Sequence, residues 1–136
     1  MPEHVLTTRV EWGETDAAGI VYYPNYFRWF DKASHELLRS LGLPPRDLSQ
    51  RQGILLPILS AHCDFRAPLR YDDALTVTSR IGQVKRRSFQ ILHTVCTGDT
   101  VTGEGHEWRA WVQQDGAGLH AVSIPEHVRR LFGSRE

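Results

Sequence analysis

One long amphipathic segment, between Tyr26 and Leu41, sets the strongest limit on how this chain can fold. Apolar side chains recur there at intervals of three and four residues, with charged residues such as Arg28 between them. This spacing predicts an α-helix of about four turns with one broad apolar face. Pro24 suits the first turn of such a helix, and Gly42 followed by two prolines ends it.

Most of the remaining chain alternates between apolar and polar residues in the way that strands do. Pro57 indicates a sheet edge or a bulge, because proline donates no ladder hydrogen bond. Asp115 and Gly116 predict a hairpin turn, and Pro125 opens a predicted short helix, whereas the stretch after Gly42 predicts only a polar connection. The strand-like runs occupy 5–12, 54–65, 75–81, 89–96, 101–113 and 119–124.

The order of these elements predicts an α+β fold in a single domain that spans 1–136. A strand comes first, then the long helix, then four or five mostly hairpin-linked strands and a terminal helix. This grouping predicts an antiparallel sheet, because parallel sheets need alternating strands and helices. A chain of 136 residues can form one real core, and one large apolar helix face needs a sheet that curls around it.

Composition and charge exclude several classes of function. Lys plus Arg number 16 and Asp plus Glu number 16, and this neutral balance argues against a dedicated nucleic-acid binder. No apolar run approaches the roughly 18 residues of a membrane span, and the first residues lack the pattern of a secretory signal. Two cysteines do not make a disulfide framework. We therefore expect a cytoplasmic protein with neither a membrane nor a nucleic acid as partner.

The loop before the long helix holds the first candidate for chemistry. Asp16 lies seven residues ahead of Tyr23, which stands at the helix start. The N–H groups of Tyr23, Asn25 and Tyr26 have no predicted partners within the helix, and such a terminus attracts developing negative charge. A carboxylate facing it could attack a bound carbonyl or direct water to it. Alternatively Asp16 only caps a turn, and its spacing alone favours this interpretation.

A basic cluster between two predicted strands is the second candidate. Lys85, Arg86 and Arg87 supply three cations and Ser88 adds a hydroxyl, a combination that suits a phosphate group. The alternative is a solvated hairpin tip, which an isolated cluster of this kind favours.

Residue types that bind metals occur together at His62, Cys63 and Asp64. On a strand His62 and Asp64 face one way and Cys63 the other, and no second cluster completes a site. We therefore predict no bound metal. His62 and Asp64 could line a pocket together, but the pattern favours His62 as a hydrogen-bonded core residue. Trp108 and Trp111 are expected to fill the core or an interface.

Seven residues form a fixed pattern over fourteen positions at the loop and the helix start: Asp16, Gly19, Val21, Tyr23, Pro24, Tyr26 and Trp29. This D-x-x-G-x-V-x-Y-P-x-Y-x-x-W pattern resembles that of the 4-hydroxybenzoyl-CoA thioesterase family. The runs YDDALTV (71–77) and KRRSF (85–89) extend the resemblance over most of the chain.

The resemblance implies a hot-dog fold, in which an antiparallel sheet of about five strands wraps one long helix. It also implies a thioesterase that hydrolyses a small-molecule acyl-CoA, with an aromatic acyl group such as hydroxybenzoyl or benzoyl, without a metal or other cofactor. Asp16 is then the catalytic nucleophile or general base, and the backbone N–H of Tyr23 polarises the thioester carbonyl. Substrate binding falls to Gly19 and, at the CoA phosphates, to Lys85, Arg86, Arg87 and Ser88.

Two features limit what the resemblance implies. The chain matches the branch with an Asp in the loop, since it lacks the HGG-like motif that precedes a helix Glu in the other branch. The region 53–65 is one residue shorter than its counterpart in the family, so the role of His62 and the identity of the acyl group stay open.

The alternatives are a short-chain aliphatic acyl-CoA thioesterase and a non-catalytic acyl-CoA binding module. Because such a sheet leaves free edges, a homodimer or homotetramer is expected.

Overall fold

Three α-helices and one short 3₁₀ helix (Trp12–Glu14) are present in the computed structural model, which describes residues 2–133. The longest, α1 (Asn25–Ser40), is the helix predicted from the amphipathic pattern. Its buried face consists of Asn25, Tyr26, Trp29, Phe30, Ala33, Ser34, Leu37 and Leu38. The other two α-helices are α2 (Pro45–Gln52) and α3 (Glu126–Leu131), and none of the described helices is long and apolar enough to span a membrane.

The strands form two antiparallel sheets. In chain order they are β1 (Glu3–Arg9), β2 (Ile54–Leu55), β3 (Ile58–Phe65), β4 (Ala74–Val84), β5 (Ser88–Thr97), β6 (Thr100–Ala110), β7 (Val112–Asp115) and β8 (Gly118–Ala121). The main sheet has five strands in the order β1-β4-β5-β6-β3, and a smaller sheet has the order β2-β7-β8. The predicted architecture, a sheet of about five antiparallel strands with one long helix against it, is confirmed.

Two of the strand-like runs are divided between the sheets. Pro57 separates β2 from β3, as expected for a residue that cannot continue a hydrogen-bonded ladder. Trp111, only 1% exposed, separates β6 from β7 and packs in the core, which confirms the prediction for this tryptophan. The smaller sheet lies beside the C-terminal end of α1, because Ile54 of β2 packs in one cluster with Leu37 and Leu38 of the helix. It closes that end of the core.

Helix α2 corrects the prediction of a polar connection after α1. Only one of its eight residues, Leu48, is buried, so no apolar repeat reveals it in the sequence. Its ends carry helix signals instead, because Pro45 occupies the first turn and Gly53 follows the last turn with φ +66°.

Two glycines of β6 allow the first half of α1 to lie close to the sheet. A Cβ atom on Gly103 would lie 2.7 Å from the Tyr26 ring, and one on Gly105 would lie 2.8 Å from the Phe30 ring. Contacts this short do not occur between real side chains. The aromatic residues of α1 can therefore reach the sheet only because these positions lack side chains.

A buried polar network connects the middle of α1 to the sheet. His93 of β5 lies 3.2 Å from Glu107 of β6 and 2.7 Å from Ser79 of β4, and Ser34 of α1 donates a hydrogen bond to Glu107. Phe30 stacks on His93 with ring centroids 4.3 Å apart. Sequence reasoning missed this network because its members lie on four different elements.

Arg109 extends this network to the helix surface. Its guanidinium lies 3.3 Å from Glu107 and 2.8 Å from Asp31 of α1. Burial acts to raise the pKa of Glu107, but the hydrogen bond from His93 and the charge of Arg109 outweigh it. The pKa of Glu107 is therefore held below its usual range. The ionised carboxylate thus stabilises the packing of α1 on the sheet.

We predict that Glu107→Gln lowers the free energy of unfolding by about 3–5 kcal/mol at neutral pH, because it breaks a buried charged network. The lowered pKa means that this stabilisation is present above the unfolded pKa of about 4.3 and is lost as the pH falls further. Urea denaturation at one protein concentration, from pH 7 down to pH 3, measures the difference between wild type and variant.

Glu104→Gln on the same strand is the matched control. Glu104 is half-exposed and pairs with Arg66 at 3.1 Å, so its loss is expected to change the free energy of unfolding by less than about 1 kcal/mol. Equal effects of the two substitutions would show that the buried network does not stabilise the fold.

Candidate active site

The loop that carries Asp16 is a tight turn fixed by backbone hydrogen bonds. The N–H of Gly19 donates to the Asp16 carbonyl at 2.9 Å, and the N–H of Asp16 donates to the Ile20 carbonyl at 3.0 Å. Gly19 has φ +78°, a conformation that L side chains rarely adopt. The structure thus gives Gly19 a conformational role, and its predicted part in substrate binding stays a prediction.

The Asp16 carboxylate is exposed at the surface of this loop. Its Oδ1 accepts a hydrogen bond of 2.9 Å from the N–H of Ala18, which is the turn-capping arrangement that the sequence also allowed. Among the residues the structure describes, Oδ2 accepts no hydrogen bond. One oxygen therefore fixes the side chain while the other is available for chemistry, so the two interpretations are compatible.

The start of α1 corrects one expectation. The N–H groups of Asn25 and Tyr26 are not free, because they donate to the carbonyls of Tyr22 and Tyr23 at 3.0 and 3.1 Å. Pro24 has no N–H. Within residues 2–133 the Tyr23 N–H is therefore the donor at this terminus that lacks a hydrogen-bond acceptor.

Glu14 ties the loop to the helix, and sequence reasoning missed it. Its carbonyl accepts hydrogen bonds from the Tyr22 N–H at 2.8 Å and from the Asn25 side chain at 2.9 Å. Its carboxylate accepts from the Trp29 indole at 2.9 Å. The only local signal is Glu11 three residues earlier, whose N–H also donates to the Glu14 carboxylate. Glu14 thus holds the Asp16 loop in position against α1.

An apolar cavity of about 320 Å³ opens beside Tyr23. Its walls include Ile20 and Leu69. The Phe65 ring contacts two tyrosine rings edge to face, with its centroid 6.0 Å from that of Tyr23 and 5.0 Å from that of Tyr26. A cavity of this size and polarity suits a small apolar or aromatic group.

Cys63 lies near this cavity but is unsuited to act as a nucleophile. Burial, with a smaller contribution from the charge of Asp64, raises the pKa of the thiol to about 11. The thiol is therefore protonated at neutral pH, whereas nucleophilic attack requires the thiolate.

The basic cluster lies at the tip of the β4–β5 hairpin. The N–H of Lys85 donates to the Ser88 carbonyl at 2.8 Å and closes the turn. Lys85, Arg86 and Arg87 are exposed, although Arg86 donates to the Ser123 hydroxyl at 3.1 Å. This is the solvated hairpin that the sequence allowed, with its cations accessible to an anion.

Asp16 and the basic cluster lie at opposite ends of β4. The Val21 N–H donates to the Leu69 carbonyl, which places the Asp16 loop near the start of β4, whereas Lys85 follows its last residue. The strand has 11 residues. At about 3.3 Å per residue its ends are roughly 33 Å apart. One chain therefore holds Asp16 and Tyr23 in the same loop but does not bring them to the cluster.

His62 and Asp64 share one face of β3, as predicted, and their side chains lie 3.1 Å apart. The expectation that His62 is a core residue is wrong, because its side chain is 54% exposed. Strand β3 is a sheet edge, and this face points away from the core. Within residues 2–133 no three His, Cys, Asp or Glu side chains are arranged to hold a metal ion.

Comparisons with known proteins identify the family. A family model described as the thioesterase-like superfamily matches residues 10–132. A 4-hydroxybenzoyl-CoA thioesterase from Pseudomonas sp. (strain CBS-3) is 38% identical over 127 residues, which cover 88% of this chain and 90% of that protein.

Solved structures agree with the sequence match. A 4-hydroxybenzoyl-CoA thioesterase mutant complexed with 4-hydroxybenzoyl-CoA has a TM-score of 0.87 and 34% identity, and covers 96% of this chain and 99% of its own. A gentisyl-coenzyme A thioesterase has a TM-score of 0.82 and 39% identity, and covers 96% of this chain and 100% of its own. The hot-dog fold and the resemblance seen in the sequence are thereby confirmed, and this chain belongs to the thioesterase-like superfamily.

Proposed function

We propose that this chain hydrolyses the thioester bond of an aromatic acyl-CoA and releases the free acid and CoA. The observation that carries the proposal is that the loop before α1 holds both an exposed Asp16 carboxylate and a Tyr23 N–H with no acceptor within residues 2–133, and that Tyr23 lines an apolar cavity. Related proteins named for thioester hydrolysis support the reaction.

In the proposed reaction the thioester carbonyl oxygen accepts a hydrogen bond from the Tyr23 N–H. Negative charge that develops on this oxygen is stabilised by that donor and by the helix terminus. Asp16 attacks the carbonyl carbon directly or removes a proton from a water molecule that attacks it. The carbon–sulfur bond then breaks, and the CoA thiolate leaves with the electron pair and takes up a proton. In the direct route water then cleaves the acyl–Asp16 anhydride, which releases the acid and restores the carboxylate, so both routes consume one water molecule.

The acyl group is proposed to be aromatic. The relatives described above are named for 4-hydroxybenzoyl and gentisyl esters, which both carry a phenol ring. Tyr26 and Phe65 line the cavity beside Tyr23 and contact each other edge to face, so an aromatic acyl group in the cavity would meet aromatic neighbours, which aromatic rings favour.

A second copy of the chain is proposed to pair with the free edge at β3. Seven of the eight β3 residues are exposed, and the apolar ones include Leu59 at 61% and Phe65 at 48%. A long edge strand with exposed apolar side chains favours pairing with another strand. We therefore retain the expectation of a homodimer or homotetramer. The cytoplasmic location, which the sheet edge does not bear on, also stays a prediction.

Such a dimer would complete the active site. If two β3 strands pair antiparallel, the Ile58 end of one lies next to the Phe65 end of the other. The Phe65 end of β3 adjoins Tyr23. The Ile58 end lies at the same end of the sheet as the basic hairpin, because Ile58 pairs with Arg109, which in turn pairs with Phe89 just after the hairpin. The cluster of one protomer then binds the CoA phosphates while the partner's Asp16 acts on the thioester.

Asp16→Asn is expected to lower kcat by about 10²- to 10⁴-fold, the range of a lost general base. The asparagine amide oxygen can still accept the hydrogen bond from Ala18, so the loop keeps its shape. Thiol release from benzoyl-, hydroxybenzoyl-, acetyl-, butyryl- and a long-chain acyl-CoA measures both turnover and acyl preference.

Asp115→Asn is the matched control, because Asp115 caps a similar turn with a 2.8 Å hydrogen bond from Ala117. Wild-type turnover by folded Asp16→Asn protein would remove Asp16 from the mechanism. Tight binding of CoA esters by the wild type without hydrolysis would favour the binding module, and a preference for butyryl-CoA would favour the aliphatic alternative.

Leu59→Lys is expected to yield a monomer near 15.5 kDa that has lost most of its activity, because a charge at the free edge opposes strand pairing. Light scattering measures the mass, and thiol release measures the activity. Leu119→Lys, at an exposed leucine of β8 in the smaller sheet, is the control. A wild-type protein that is itself monomeric would overturn the dimer.

Mixing two defective variants tests whether the site is shared between protomers. Asp16→Asn and the double variant Arg86→Ala, Arg87→Ala are each expected to have low activity at low acyl-CoA concentration. After they are unfolded and refolded together, about a quarter of the sites regain both parts, because half of the dimers are mixed and each mixed dimer has one intact site. Activity no higher than the average of the two variants would place both parts within one chain.

A further inference from the structure

A groove crosses the outer face of the main sheet next to the basic hairpin. It has a volume of about 590 Å³, and its lining consists of Glu3, Arg80, Ile81, Gly82, Gln83, Gln90 and Leu92. This face points away from α1, so the groove is separate from the cavity beside Tyr23. Its size is within the range of small-molecule sites.

Trp108 continues this surface on the neighbouring strand. It is the residue of β6 directly opposite Gln90 of β5, and both side chains point to the outer face. The ammonium of Lys85 lies over the Trp108 ring, 4.7 Å from its centroid. The sequence predicted that Trp108 fills the core or an interface, but within one chain the residue lies half-buried on the surface beside the basic cluster.

Gln90 presents hydrogen-bonding groups beside this indole ring. Its Oε1 accepts a hydrogen bond of 3.2 Å from the Gln83 N–H, whereas its Nε2 donates to no other residue in the described part of the chain. A Cβ atom on residue 82 would lie 2.5 Å from Gln90 Oε1, so Gly82 makes room for the amide. The Gln90 amide is thereby held in one orientation next to Trp108.

We propose that Trp108 binds the adenine base of the CoA substrate by stacking, and that Gln90 donates to the edge of the base. This inference rests on the proposed function. An aromatic face, a fixed amide donor and adjacent cations are the groups that recognise a purine nucleotide. The Lys85 side chain is flexible, so the adenine base can displace its ammonium from the Trp108 ring. The ammonium can then join Arg86 at the phosphates of the bound CoA.

The chemistry of CoA explains why the adenine, and not the acyl group, is assigned to this surface. The base and the phosphates belong to one nucleotide, so the base must bind near the cations that hold the phosphates. The acyl group is at the other end of the pantetheine arm. It is assigned to the cavity beside Tyr23, which lies at the opposite end of β4 from Lys85 within one chain.

Trp108→Ala is expected to raise KM for benzoyl-CoA by about 5- to 150-fold, the equivalent of losing one base–aromatic stack, with little change in kcat. S-benzoyl-pantetheine lacks the nucleotide, so its KM is expected to be unchanged. Trp108→Phe keeps an aromatic face and should restore most of the affinity for benzoyl-CoA. Trp12→Ala removes a tryptophan that is 73% exposed in the short 3₁₀ helix after β1, and should leave both KM values as they are.

Calorimetric titration with CoA and with pantetheine provides a readout that does not depend on turnover. The inference is supported if Trp108→Ala weakens binding of CoA but not of pantetheine, even if the wild type proves to hydrolyse no ester. It is overturned if CoA binds the variant and the wild type equally, or if both substrates lose affinity together. A lowered mass of the variant in light scattering would instead assign Trp108 to an interface between copies and would also overturn the inference.

Discussion

The close packing of one amphipathic helix on a curved sheet is the constraint on which this structure depends. Helix α1 reaches the sheet because Gly103 and Gly105 carry no side chains there. Its position along the sheet is then fixed by a buried polar network, in which Ser34 donates to Glu107 and Arg109 pairs with Asp31. Polar groups in a core are costly unless they are satisfied, so such a network favours one placement of the helix over others.

That placement determines where chemistry can occur. The start of α1 stands beside Phe65, and Glu14 holds the preceding loop against the helix. As a result the Asp16 carboxylate, the Tyr23 N–H and an apolar cavity occupy one end of the sheet. The basic hairpin occupies the other end, about one strand length away. In the proposed dimer the hairpin end of one protomer meets the Asp16 end of its partner, so one CoA ester can reach both.

Patterns with a local cause were predictable from the sequence. The apolar repeat of α1, the alternation of most strands and the break at Pro57 each depend on near neighbours in the chain. Features with a distant cause were not predictable. Helix α2 was missed because it buries only Leu48, and His62 was misplaced because the sequence does not show which strand forms the sheet edge.

The sequence by itself determined the α+β element order and, through the pattern around Asp16 and Tyr23, the family and its candidate chemistry. Only the tertiary structure decided which donors at the helix start are free, since Asn25 and Tyr26 donate to preceding carbonyls and the Tyr23 N–H meets no acceptor in the described chain. It also decided that the basic hairpin lies far from Asp16 in the same chain. The physical reason is that residue types and spacing fix local conformation, whereas hydrogen-bond partners and distances across a sheet depend on which elements pack together.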